Sequence, residues 1–467
     1  LVERYIFALL EALKCGLAFL IVWRITRNGF ALVAPVLIML APGPWHKVFF
    51  SSLGFLAAYT VMVSIGKGPK RLVVCGAVAG LCAVFRQDSA AFAVLGGIVA
   101  LVFNLTVRRT GARRFATELG GLLIGLALVG IPVLLYFSRQ DALAPMVHKM
   151  TRDGMLDNMT NRIPYPGLAA AGGIDTTYLA YVLPVRLFFY LPFVAYGLAA
   201  AVLAGNLVAR RSGERVTGMI VLLTASVLAV NQSVWRSDMG HLLQTQQYVF
   251  LLVPVVLASA FSYAGKRLPE GGSSREALRW GLLLASPVLL LWMTYGCMRA
   301  SLDPAVMGRF VREEISVGDT EYVGSILVRA GNDTKLNVKR ARVYTRAGEA
   351  AFFEAIGRFL DEQTSPGDYV LAVPQLQMLY FFYDRRNPTR YAHYRRALDP
   401  IDEDEYIADI ERHDTGFIFL TEPYAGARIG QTRQAFSEYA ERVRTWILAN
   451  YTEVERIGGV RILGRKS

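Results

Sequence analysis

Residues 219–264 read MIVLLTASVLAVNQSVWRSDMGHLLQTQQYVFLLVPVVLASAFSYA. Apolar runs lie on either side of a polar dozen, WRSDMGHLLQTQ (Trp235–Gln246), which carries Arg236, Asp238 and His241. Charged residues joining two membrane-length apolar runs are either an ordinary surface turn or the lining of a site. Which of the two applies depends on the side of the membrane they face.

The pattern of these residues recurs through the first two thirds of the chain. Of 467 residues 54% are hydrophobic, and the mean hydropathy is +0.35, which points to a membrane protein. Apolar runs predict about ten spans, near 5–23, 29–42, 48–65, 71–85, 89–107, 117–137, 179–208, 216–231, 247–264 and 280–297. The runs 29–42 and 71–85 are short for a full crossing. After residue 298 the pattern changes to short strand-like and helix-like units. The expected organisation is therefore an α-helical polytopic membrane bundle over 1–298 and a small α/β domain over 299–467.

The net charge of +13 invites a nucleic-acid reading, but its distribution argues for another. From Arg299 onward there are 24 Lys+Arg against 25 Asp+Glu, whereas the first 298 residues hold 26 against 12. The excess lies in the hydrophobic part and marks topology. Alternate connections are basic: Arg24 and Arg27; Lys67, Lys70 and Arg71; Arg108, Arg109, Arg113 and Arg114; Arg210, Arg211 and Arg215; Lys266, Arg267, Arg275 and Arg279. These face the cytoplasm by the positive-inside rule. The polar dozen at 235–246, the long connection 138–178 and the whole domain after Cys297 then face outward. The first residues would face outward as well, with no preceding helix to carry them across. The expectation is a fragment that lacks at least one inward-to-outward helix and the external loop after it, and that is inactive alone.

In the C-terminal part, ARVYT (341–345), DYVLAVP and TGFIFL read as strands, and EAAFFEAIGRFLDEQ (349–363) as a helix closed by the turn SPGD. QLQMLYFFYD is a helix or half-helix, RQAFSEYAERVRTWILANY (433–451) is amphipathic, and VERIGGVRILGR reads as a closing hairpin. No P-loop, GxGxxG, nucleophile elbow or HExxH is present. The acidic run DPIDEDEYIADIE (399–411) is read as a solvated helix start in preference to a metal site. The histidines His46, His148, His241, His393 and His413 have no metal-ligand spacing, so a divalent metal has no visible ligand set. The four cysteines lie in or beside apolar segments and carry no motif.

The polar residues that look out of place all fall toward the outer face. In FRQDSAAF, Arg86 and Asp88 occupy a very short connection between two spans, where a charge is costly unless it serves a site or a mutual salt bridge fixes the turn. In WRSDMGHL, Asp238 and His241 share a face if the segment is already helical. There Arg236 is suited to a bidentate phosphate contact, and His241 to donating toward an oxyanion. Lys149, Arg152 and Arg162, with Tyr165, lie in the long outer connection, either closing over a lipid phosphate or merely solvated. Arg186 lies a short way into the seventh span, and Glu11 with Lys14 reads as a structural pair in the first.

These pieces resemble the GT-C-type membrane glycosyltransferases of bacteria, the group of protein O-mannosyltransferases, aminoarabinose transferases and rhizobial core transferases. The likeness rests on the many-span bundle, R-x-D at Arg86 and Asp88, and R-x-D-x-x-H at Arg236, Asp238 and His241. It rests most specifically on PGDYVLAVPQLQMLYFFYDRRNPTRY (366–391). The resemblance implies a sugar donor linked to polyprenyl phosphate, an extracytoplasmic acceptor (glycan, lipid or protein), inversion at the anomeric carbon, and residence in a bacterial inner membrane. The general base of such enzymes lies in the first external loop, which precedes Leu1. By the same resemblance Arg86 and Asp88 shape the donor pocket, Arg236 and His241 bind the donor phosphate, and Arg4 is a further phosphate contact. Two other readings stay open: an O-antigen ligase or polymerase, which generally lacks a large soluble domain, and a secondary transporter, which calls for repeats and mid-membrane charges.

Overall fold

The computed structural model describes residues 2–41, 48–148, 165–167, 173–209, 213–235, 239–269, 272–302, 334–338, 340, 342–345, 347–373, 376–391, 400–421 and 440–466. The chain divides into two compact units, Leu1–His148 with Arg162–Val323, and Lys149–Asn161 with Gly324–Ser467.

The first unit is a membrane-type helical bundle. Its helices are α1 (Val2–Thr26), α2 (Val33–Leu40, entered through a 3-10 turn at Gly29–Leu32), α3 (Val48–Ser64), α4 (Pro69–Phe85), α5 (Gln87–Thr106) and α6 (Ala112–Arg139). They continue with the short α7 (Leu143–His148), α8 (Leu183–Val208, preceded by a π turn at Tyr178–Val182), α9 (Glu214–Trp235), α10 (Met239–Ala264) and α11 (Ser273–Leu302). Each of the ten expected segments is helical. Among the described residues seven helices are long and apolar enough to cross a membrane, namely α1, α5, α6, α8, α9, α10 and α11. The count of about ten is therefore approximate. Helices α3 and α4 have 17 residues each, about 25 Å of rise against a hydrocarbon core of about 30 Å.

Large apolar side chains face outward along α6 (Leu123, Ile124, Leu128, Ile131) and α11 (Leu284, Val288, Leu291), as lipid contact requires. Helices α5, α9 and α10 are the most enclosed of the spanning set. Helices α4 and α6 meet backbone to backbone through glycines four residues apart on each, Gly76 and Gly80 against Gly121 and Gly125. A Cβ on Gly125 would stand 2.8 Å from the Gly76 Cα and overlap the Val73 carbonyl oxygen.

Basic connections gather at one end of this bundle. Glu214, opening α9, receives Arg24 at 2.9 Å and Lys67 at 2.7 Å. Arg114 donates to the Gly66 carbonyl at 2.7 Å and to Glu118 at 3.0 Å, and Gly29 lies against the Arg279 guanidinium. All five basic connections thus contribute contacting residues or border them. At the other end Phe49 stacks on Phe85 and meets Phe7 edge-on, so the starts of α1 and α3 lie beside the end of α4. Such segregation is what an alternating path through a bilayer requires.

The second unit is α/β. Strands β1 (Thr334–Asn337) and β2 (Arg342–Thr345) form an antiparallel pair. Helix α12 (Ala347–Gln363) leads through a turn at Gly367 (φ +89°) to β3 (Val370–Val373), followed by α13 (Met378–Phe382) and α14 (Pro400–Arg412). Strand β4 (Phe417–Thr421), helix α15 (Glu441–Asn450) and the hairpin β5 (Tyr451–Ile457) and β6 (Val460–Arg465) complete it. The sheet order is β3-β4-β6-β5, with only β3 and β4 parallel. Alternation sends Leu371, Val373, Ile418 and Leu420 toward Tyr406, Ile410, Val443 and Ile447. It sends Val370, Ala372 and Phe419 toward Ile356, Phe359 and Leu360. Burial on both faces explains why β3 is apolar throughout.

One sequence expectation narrows, one strand is added and one reading holds. The strand β1 was not foreseen, because TKLN carries one buried residue in four. The amphipathic segment 433–451 is helical only over Glu441–Asn450 among the described residues, since Tyr451 already begins β5. The acidic run 399–411 forms the helix α14 from Pro400 onward.

Candidate functional site

Of the expected site residues, Arg86, Asp88 and His241 are described. Arg236, Asp238, Lys149, Arg152 and Arg162 lie outside the described residues, as does the side chain of Arg4, whose backbone belongs to α1.

The connection between α4 and α5 is tighter than expected. Arg86 alone stands outside the helices, in an extended conformation, and α5 begins at Gln87. Asp88 falls in the first turn of α5, where the exposed N–H groups favour a negative charge, and it accepts from the Ser89 N–H at 2.8 Å. Its carboxylate also lies 3.1 Å from Arg86 Nε. The mutual salt bridge considered from the sequence is therefore formed, yet it leaves much of the arginine uncommitted. Among the described residues Arg86 Nε is buried without a hydrogen-bond partner, since the 3.1 Å ion pair with Asp88 lacks hydrogen-bond geometry, and the guanidinium sits 5.1 Å from the centre of the Phe50 ring. A half-exposed guanidinium held by an ion pair and an aromatic face, with donors to spare among the described residues, is suited to an anion.

Helix α10 begins at Met239, about two turns before the apolar run that announced it. His241, Gln244, Thr245 and Tyr248 follow at spacings of three, four and seven, so they form one stripe that descends from the outer end into the bundle. His241 is half-buried, and Gln244, Thr245, Gln246, Gln247 and Tyr248 are all buried. Polar groups at this depth persist because they find partners. Gln246 Nε2 donates to the Phe188 carbonyl at 2.7 Å, while Gln247 Nε2 donates to the carbonyls of Ala41 at 2.7 Å and Leu243 at 3.0 Å. Two amide oxygens, Gln246 Oε1 and Gln247 Oε1, remain buried without a hydrogen-bond partner among the described residues.

Tyr248 joins the two halves of the site. Its ring meets Phe50 and Phe55 edge-on at 5.9 and 5.2 Å, and its hydroxyl faces Gly54 and Ser89 at the start of α5. Only a glycine at 54 leaves room for it, because a Cβ there would overlap the phenol oxygen. The lower end of the α10 stripe thus reaches the Arg86–Asp88 break. His241 lies seven residues, about 10 Å, nearer the outer end. Sequence reasoning missed Tyr248, Ser89 and the glutamines, although the polar run QTQQ beside an apolar span was a signal for them.

Two neighbouring features complete the outer end. Arg186, in the first turn of α8, is buried with its guanidinium 5.7 Å from the centre of the Tyr178 ring. From the long connection, Tyr165 donates to the Phe189 carbonyl, and Tyr190 donates to the Pro166 carbonyl at 2.7 Å. Glu11 and Lys14 pair at 2.6 Å on α1, as expected of a structural couple. Among the described residues no three metal-ligating side chains come together.

The segment that carried the most specific resemblance serves architecture. Tyr380 accepts the Ala372 N–H at 2.9 Å, and burial pushes its phenol up to about 12. Arg385 closes the end of α12 by donating to the Leu360 carbonyl at 3.0 Å and to Thr364 Oγ1 at 2.7 Å. Asn387 ties NPTRY into a turn through the Thr389 N–H at 3.0 Å and the Tyr391 carbonyl at 2.6 Å.

No family model and no curated protein matches the chain. Among solved structures, ArnT from Cupriavidus metallidurans bound to undecaprenyl phosphate is similar at 14% identity and a TM-score of 0.46, over 100% of this chain and 84% of that one. Its apo form is similar at 13% and 0.49, over 98% of this chain and 83% of that one. ArnT is an aminoarabinose transferase, one of the group that the sequence resembles.

Proposed function

We propose that this chain is a polytopic inner-membrane glycosyltransferase that moves a sugar from a polyprenyl-phosphate donor to an extracytoplasmic acceptor, with inversion. The reading places the domain 299–467 outside the cytoplasm. One observation carries it: the Arg86 guanidinium, paired with Asp88 alone among the described residues, and the buried polar stripe of α10 occupy the end of the bundle opposite the basic connections. A lipid-linked substrate offers its phosphate at that level while its prenyl chain remains among apolar helices. In this reading Arg86 and His241 neutralise the phosphate as it becomes the leaving group, an electrostatic role, and Asp88 holds Arg86 in place. Arg236 and Arg4 are assigned to the same donor phosphate by the resemblance, with Asp238 beside Arg236 in the sequence.

The test is binding of undecaprenyl phosphate, the lipid held by one of the similar structures, to the detergent-purified chain. Arg86→Ala should weaken it by about tenfold or more, the value of a lost charge-assisted hydrogen bond, and His241→Ala should weaken it measurably. Arg109→Ala, at the basic end, should leave it unchanged. Wild-type binding by both outer-end variants refutes the assignment.

A further inference from the structure

We propose that the basic end of the bundle holds a second anion site, a cleft that takes the phosphodiester of an anionic phospholipid from the cytoplasmic leaflet. The cleft has a volume of about 200 Å3 and is lined by Lys67, Asn104, Arg108, Arg114, Glu118 and Glu214. It is formed where α3 and α5 end and α6 and α9 begin, so it lies at the level of the lipid headgroups.

Local backbone shapes it. Gly66 and Gly68 adopt φ of +79° and +99°, turning the chain so that the Gly66 carbonyl faces inward to Arg114. Across the cleft Arg109, at φ +53°, reverses the chain after α5 and sets Arg108 beside Asn104. Asn104 and Glu118 are each 3% exposed, so buried polar groups line this cleft rather than apolar ones.

Charge then selects the ligand. Glu118 is engaged by Arg114, and Glu214 by both Arg24 and Lys67, so the two carboxylates are already neutralised. Arg108 is different: among the described residues its side chain has a single partner, the neutral Asn104 Oδ1 at 3.3 Å. The three cations that line the cleft, Lys67, Arg108 and Arg114, stand against two carboxylates and leave an excess of one positive charge, which matches the single charge of one phosphodiester. The volume is below the range of about 300–1,000 Å3 typical for drug-sized ligands, as a headgroup requires. An arginine with unused donors at the membrane surface favours phosphate, which it binds by two parallel hydrogen bonds.

The experiment is titration of the detergent-purified chain with phosphatidylglycerol, read by native mass spectrometry, with phosphatidylcholine and inorganic phosphate as comparison ligands. The wild-type chain should bind phosphatidylglycerol well above phosphatidylcholine. Arg108→Gln should lower that affinity by about tenfold, and Arg108→Lys, which keeps the charge, by less. Arg71→Gln removes the same charge outside the cleft and should change affinity by less than about twofold. Equal losses at positions 71 and 108 would show diffuse attraction and overturn the site, as would no loss at 108. Inorganic phosphate that binds as tightly as the lipid and displaces it would overturn the lipid source.

Discussion

Replacing Gly125 by alanine adds one carbon atom and should separate two helices. A Cβ at 125 would lie 2.7 Å from the Ala77 nitrogen and 2.8 Å from the Gly76 Cα, and would overlap the Val73 carbonyl oxygen. All three are backbone atoms of α4, so no side chain can swing aside. Ordinary contact begins near 3.4 Å, so α6 must withdraw by roughly 1 Å, loosening the packing around Gly76, Gly80 and Gly121 as well. Overpacking of this kind costs about 1–3 kcal/mol, from which a gain of up to about 1 kcal/mol in helix propensity is subtracted. Gly120 and Gly130 lie on the same helix with nothing within 4 Å of a built Cβ. Alanine there keeps the propensity gain alone. Unfolding of the purified chain by titration with sodium dodecyl sulfate should therefore show opposite signs, with Gly125→Ala destabilised and Gly120→Ala unchanged or slightly stabilised. A Gly125→Ala chain as stable as Gly120→Ala would refute the backbone-to-backbone crossing.

Two further predictions concern the second unit. Arg385→Ala removes the donors that satisfy the carbonyls of Leu360 and Thr364 at the end of α12, in a site where the side chain is buried. It should cost about 2–4 kcal/mol and release the last turn of α12, seen as faster amide hydrogen exchange there; unchanged exchange would remove Arg385 from that role. Glu453 accepts from Arg456 at 2.8 Å and Arg461 at 2.7 Å, and these hydrogen bonds push its carboxyl down to about 2. Its folded value is depressed, so its stabilising contribution is present above the ordinary carboxylate value of 4.5 and is lost as pH falls toward 2. Arg461→Gln should raise the midpoint of the Glu453 carboxylate resonance toward 4.5, and a midpoint that stays near 2 would show that Arg461 is not a cause. The pair is exposed, so its share of stability is small.

By itself the sequence determined the membrane class, the positions of the ten helical segments and the clustering of the basic connections. Hydropathy and charge act locally: a run of apolar residues must leave water wherever it occurs, and arginines in short loops stay on one side whatever the helices pack against. Strand and helix patterns of the C-terminal unit were legible for the same reason, down to the all-apolar β3. Reading also singled out Arg86, Asp88 and His241 as candidates, because charges beside hydrocarbon stand out against their neighbours. What only the tertiary structure decided was which residues meet. Tyr248 lies far along the chain from Phe50 and Ser89, and nothing in its own neighbourhood marks it as their partner. Spacing of Gly76 and Gly80, or of Gly121 and Gly125, shows that a close crossing is possible, but only packing selects α6 as the partner of α4. Arg108 stands out from its basic neighbours for the same reason. Its sequence shows one arginine among several, whereas the fold gives the others of its cleft carboxylate partners and, among the described residues, gives Arg108 an amide oxygen. Partner choice is a long-range property, set by surfaces that exist only after the helices have come together.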